Sequence, residues 1–89
     1  MGLIIRNFLG YEFKKLNETE CSIPFNEYNT TKDARQACID DKQCEGIQYD
    51  DCNNETKIVL CMKDGALIAS SGIKSCVYMK FPIGRTNIL

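Results

Sequence analysis

The stretch "ARQACIDDKQCEGIQYDD", residues 34–51, decides the fold, because its period changes in the middle. In the first half Ala34, Ala37 and Cys38 recur at three- and four-residue intervals and share one face of a helix. Side chains that small let a helix sit close on a sheet. Just upstream, Thr30 or Thr31 can accept the first unpaired amide protons, and Asp33 complements the positive helix end. From Gln43 to Asp50 the period becomes two, with Ile47 and Tyr49 on one face of a strand. Cys38 and Cys44 straddle the change of period, so the stretch reads as a metal clip, a redox pair or a covalent staple between helix and strand.

Working outward, "DCNNE" at 51–55 is turn material, and residues 57–63 form the second strand of a hairpin. That strand is apolar enough to be central and covered on both faces. Residues 64–72, "DGALIASSG", are a turn with a short apolar piece. The last strand, "SCVYMKF", puts Val77, Met79 and Phe81 on one side and Cys76, Tyr78 and Lys80 on the other, and Pro82, lacking a ladder donor, ends it. Upstream, "GYEFKKL" alternates as a half-buried strand would, and the polar segment 17–29, with Pro24, reads as loop or short irregular strand. There is no internal repeat. Strand, helix, hairpin and strand together predict an α+β fold: a mostly antiparallel sheet of about four to five strands with one helix packed on it. The chain is one domain, 1–89, with its core in about 3–81 and a tail or linker at 82–89.

Eighty-nine residues bury one modest core. Six cysteines, Cys21, Cys38, Cys44, Cys52, Cys61 and Cys76, offer covalent help, each bridge contributing roughly 2 to 4 kcal/mol. With 11 basic and 12 acidic residues the charge disfavours nucleic acid and anionic membranes, and the short apolar runs give no membrane insertion. Three glycosylation sequons begin at Asn17, Asn29 and Asn54, which with the cysteines place the chain in a secreted or extracellular setting. The opening residues lack a signal-peptide pattern, so the expected form is a mature chain or an extracellular domain of a larger protein.

The spacing Ala34-x-x-x-Cys38, Cys44-x-Gly46-Ile47-x-Tyr49, then Leu60-Cys61 and a closing Cys76-Val77-Tyr78-x-Lys80 resembles the PAN/apple domain superfamily. The resemblance covers about residues 30–81 and implies a small disulfide-rich module that binds protein or carbohydrate without catalysis. It implies bridges between Cys38 and Cys44 and between Cys21 and Cys76. Ala34 stands where the family has the usual partner of the cysteine at 61, and Cys52 is additional. Cys61 is then left to pair with Cys52, or the arrangement changes, for example to Cys38 with Cys61 and Cys44 with Cys52. Six cysteines allow 15 connectivities.

The chain has no histidine, so no Ser-His-Asp or Cys-His site can be assembled from its side chains. The cysteines are separated by 16, 5, 7, 8 and 14 residues, without zinc-knuckle or redox C-x-x-C spacing, and no cofactor is expected. The acid pairs Asp40-Asp41 and Asp50-Asp51 read as solvated turn residues, and the chain is not expected to be an enzyme. Binding remains. Tyr11 and Tyr28 are candidate contact residues, and Lys63, Lys74 and Lys80 could converge to meet a sulfated sugar or an acidic protein. Tyr49 and Tyr78 occupy strand positions suited to packing. The segments 18–29 and 65–72 are where such a scaffold would carry specificity. The expected partner is an extracellular protein or glycan. Two further readings are a stand-alone secreted effector, toxin-like or inhibitory, that blocks a receptor or protease, and self-association through the apolar residues 2–9.

Overall fold

The computed structural model describes residues 10–83, without the side chains of residues 55 and 56. Residues 2–9, and with them that route to self-association, lie outside the described residues. Among these described residues seven strands and one helix follow in the order β1 (Gly10–Leu16), β2 (Thr19–Cys21), β3 (Pro24–Tyr28), α1 (Thr31–Asp40), β4 (Cys44–Asp51), β5 (Asn54–Met62), β6 (Leu67–Ala69) and β7 (Cys76–Ile83). Five of the strands form an antiparallel sheet in the order β1-β7-β4-β5-β3, and β2 pairs with β6 in a separate two-stranded ribbon. The protein is therefore a small disulfide-rich α+β domain, with one helix among the described residues.

Thr30 caps α1, its hydroxyl accepting the Asp33 N–H at 3.1 Å. Ala34 and Cys38 are fully buried on the face that meets the sheet. Between β4 and β5 the turn is held by Asp51, whose carboxylate accepts the Asn53 N–H at 2.9 Å. In the register Ile47 faces Leu60 and Tyr78, and Tyr49 faces Ile58 and Cys76. These residues share the helix side of the sheet and, with Ala34, Cys38 and Cys44, make the larger core.

The opposite face is covered by the ribbon. Here Cys21, Cys61 and Val77 form a second, smaller core, flanked by Leu67 and Met79. Gln48 ties the layers together, because its side-chain carbonyl accepts the Cys21 N–H at 2.7 Å in a buried position. That bond gives the ribbon a polar anchor where its own ladder ends. Gly46 lets β4 and β7 come together: a Cβ at this position would stand 2.7 Å from the Tyr78 carbonyl oxygen.

Several local readings change. Segment 17–29 takes the short-strand form of its two readings, as two strands, and residues 67–69 become the partner of the first of them. β1 is mostly exposed instead of half-buried, because only Phe13 is tucked toward the core. Pro82 continues β7 opposite Tyr11; beyond Met79 this strand has β1 on one side only, so a missing donor is tolerated. Across the hairpin, Cys61 stands opposite Gly46, since the register shifts between Cys44 and Gly46, and Ile47 falls opposite Leu60.

All six cysteines are bridged, as Cys38–Cys44, Cys21–Cys61 and Cys52–Cys76. The first is the staple between helix and strand. The expected pairs Cys21 with Cys76 and Cys52 with Cys61 are not formed. Cys76 belongs to the helix-side core, whereas Cys21 lies in the core on the opposite face, directly beside Cys61. Cys52 sits in the turn next to the start of β7, while Cys61 lies seven residues along β5 from Asn54, roughly 23 Å at strand spacing, well beyond a disulfide's reach. Nor do the alternatives Cys38 with Cys61 and Cys44 with Cys52 occur.

Candidate functional site

The predicted contact residues divide between the two ends of the sheet. Where α1 ends, β7 brings Lys80 beneath the helix. Its ammonium donates to the Cys38 carbonyl at 2.6 Å and the Asp41 carbonyl at 3.2 Å at the helix C-terminus, where the same two carbonyls also accept the backbone N–H groups of Asp41 and Cys44. The same ammonium lies 5.1 Å from the centre of the Tyr11 ring, which β1 places beside it. Burial pushes the Lys80 pKa below its ordinary value; the Asp41 charge opposes this, and the nearby Lys63 charge adds to it. Lys63 is positioned by the backbone, donating its N–H to the Gln43 carbonyl at 2.7 Å just past the end of β5. Tyr11, Lys63 and Lys80 thus gather at one end. Lys80 is committed in part to closing the helix, so Tyr11 and Lys63 are the exposed members.

Acidic groups that sequence spacing does not single out surround this end. Glu45 follows Cys44, and its carboxyl pKa is raised, first by burial and then by the charge of Asp64. Asp41 accepts the Gln43 N–H through its carboxylate at 2.8 Å. An aromatic ring beside interleaved charges of both signs can recognise a polar surface; it lacks the one-sided charge that concentrates a polyanion. The only advance signal for Glu45 and Asp64 is their position next to elements whose ends the hairpin brings together.

Lys74 is elsewhere. It lines a cleft of about 370 Å³ at the other end of the hairpin, with Asn17, Glu18, Asp51, Asn53 and Ser75 among its neighbours. Glu18, at φ 49, turns its carboxylate to accept the Gly72 N–H at 3.0 Å, so segments 18–29 and 65–72 meet here and in the β2-β6 ribbon. Tyr28 is half-buried against the helix-side core. Tyr49 and Tyr78 pack there too, their ring centres 5.4 Å apart, and the Tyr49 hydroxyl lies 2.6 Å from that of Thr31. Arg35 on α1 covers Phe13 and Tyr78, at 5.1 and 6.0 Å from their ring centres.

The paired acids serve turns and ion pairs: Asp50 meets Lys57 at 3.4 Å, and Asp40 accepts from the Gln36 amide at 3.0 Å. Among the described residues no three histidine, cysteine, aspartate or glutamate side chains are grouped to hold a metal, and no helix is long and apolar enough to cross a membrane. Asn17, Asn29 and Asn54 are all exposed. Fold and surface define a class, the small disulfide-rich α+β domain, whose three disulfides are of the kind typical of extracellular proteins. No family model, curated protein or solved structure matches the chain.

Proposed function

We propose that this chain is a secreted, noncatalytic recognition domain of PAN/apple type that binds an extracellular protein or glycan. The observation that carries this reading is the convergence of exposed Tyr11 and Lys63 with Lys80 at the one end of the sheet stapled by Cys38–Cys44. A helix laid on an antiparallel sheet and joined to it at that staple supports the PAN/apple likeness; the other two bridges depart from the pattern the likeness implies. The mixed charge around the site favours protein or weakly charged glycan over a polysulfated chain. Three exposed sequon asparagines fit passage through a secretory compartment.

The test is chain secreted from a eukaryotic host, mapped with and without reduction and with and without glycan removal, then applied to panels of extracellular proteins and of neutral and sulfated glycans. Three bridges, occupied sequons and a bound panel member whose affinity falls about tenfold or more in Tyr11→Ala and Lys63→Glu are expected. Six free thiols would overturn the extracellular setting, and binding unchanged in both variants would overturn the site.

A further inference from the structure

β1 (Gly10–Leu16) and β3 (Pro24–Tyr28) are the two edges of the sheet, and they are built differently. The β3 edge contains Pro24 and a register break between Phe25 and Glu27, with Asn26 at φ 54. Such features interrupt the outer row of backbone groups and discourage pairing. β1 has neither. It holds an unbroken register with β7 over all seven of its residues, and among the described residues no strand lies on its outer side. We propose that β1 pairs antiparallel with β1 of a second copy of this chain, about a two-fold axis at Phe13, to make one continuous sheet across a dimer.

The register follows from side-chain faces and charge. A two-fold axis normal to a sheet keeps every side chain on its own face, so the axis passes through a residue. With the axis at Phe13, Glu12 stands opposite Lys14 of the second copy, Tyr11 opposite Lys15 and Gly10 opposite Leu16, each twice, and the whole strand is paired. Moving the axis to Glu12 sets the two glutamates against each other. Moving it to Lys14 does the same with two lysines, and like charges directly opposite destabilise a ladder. The residues that guard this edge against a foreign strand are thus matched by one partner, the strand itself. In the single chain Glu12 and Lys14 already form an exposed ion pair at 3.6 Å along β1, so dimerisation exchanges two such pairs, one from each copy, for two across the join. One strand-to-strand join covers less area than a standard interface, which makes the dimer weak and concentration-dependent.

Charge exchange tests this in the full, disulfide-bonded chain by sedimentation equilibrium from micromolar to millimolar concentration. Glu12→Lys and Lys14→Glu each set like charges opposite twice, and each is expected to weaken the dimer roughly tenfold or more. The double variant, and an equimolar mixture of the two single variants, restore opposite charges and are expected to return close to the original affinity. A chain that stays monomeric at millimolar concentration, or a dimer indifferent to both single variants, overturns the proposal. Amide hydrogen exchange of the unsubstituted chain supplies a second reading that needs no variant: outer-edge amides within residues 10–16 slow as concentration rises, and unchanged rates there overturn it. The substituted residues are neither Tyr11 nor Lys63 and lie outside residues 2–9, and self-association is measured without any ligand, so its failure is distinguishable from failure of the proposed ligand site even though the join sets Tyr11 opposite Lys15.

Discussion

At the residue scale, position 46 shows how one missing atom sets the spacing of a sheet. Gly46 lies on β4 where β7 passes, and a methyl group there would press to 2.7 Å from the Tyr78 carbonyl oxygen and 3.3 Å from the Met79 Cα. Both are backbone atoms, so neither can swing away as a side-chain tip does. Gly46→Ala is therefore expected to destabilise by about 1–3 kcal/mol, the usual scale for forcing an extra carbon into a packed site. Chemical denaturation checks it, and an unchanged midpoint would contradict the close approach. Its neighbour Glu45 makes a prediction of a different kind. Its carboxyl pKa is raised in the folded chain by burial and by Asp64, so the folded state holds that proton more tightly than the unfolded one. The resulting stability is fully present below the ordinary carboxylate pKa and is lost as pH rises through the raised one. Glu45→Gln removes this loss. Melting temperatures of variant and parent are expected to lie closest at acid pH and to separate above the carboxylate range, with the variant higher; parallel curves from about pH 3 to 8 would contradict it.

At the scale of elements, each bridge joins a different pair of layers. Cys38–Cys44 fixes α1 to β4, Cys21–Cys61 fixes the ribbon to the back of β5, and Cys52–Cys76 fixes the hairpin turn to the start of β7. Their sequence separations are 6, 40 and 24, and the chain entropy they remove from the unfolded state corresponds to about 2.5, 4 and 3.5 kcal/mol respectively. Paired alanine variants should lose stability in that order, least for Cys38–Cys44 and most for Cys21–Cys61, as read by denaturant midpoints. A reversed order would mean that local packing outweighs loop closure. What could be read in the sequence follows the same division. The helix and the hairpin declare themselves because ten and eight residues suffice to show a period. β2 and β6 span three residues each, too few to show one, and they exist because the two segments find each other across the back of the sheet. That hidden ribbon is why the outer bridges could not be assigned: the position of Cys21 over Cys61 depends on a layer with no local signature. Tyr11 and Lys80 were legible as residue types, whereas Lys80's role in closing α1 depends on β7 passing beneath the helix end.

For the whole molecule, the bridges are of the same magnitude as the net stability of the fold. Among the described residues eleven apolar ones are buried, and five of them are the cysteines at 21, 38, 44, 61 and 76. What remains is Ala34, Ile47, Tyr49, Ile58, Leu60 and Val77, shared between two faces of one sheet. Cysteines supply nearly half of the buried apolar residues, and each face has only a small core beside them. A domain of this length has a net stability of about 4 to 13 kcal/mol, and the three bridges together account for about 10 kcal/mol by their loop entropies. The two magnitudes are comparable, so removing every bridge brings the folded state to the edge of existence. The reduced chain, held in excess thiol at neutral pH and 25 °C, is accordingly expected to lose its dispersed amide spectrum and its near-ultraviolet tyrosine signal, and to regain both on reoxidation. A reduced chain that kept a native spectrum would show that the two small cores suffice. The same comparison ties the fold to its surroundings: if the reduced chain unfolds as expected, a thiol-rich compartment would disperse Tyr11 and Lys63, and the candidate site with them.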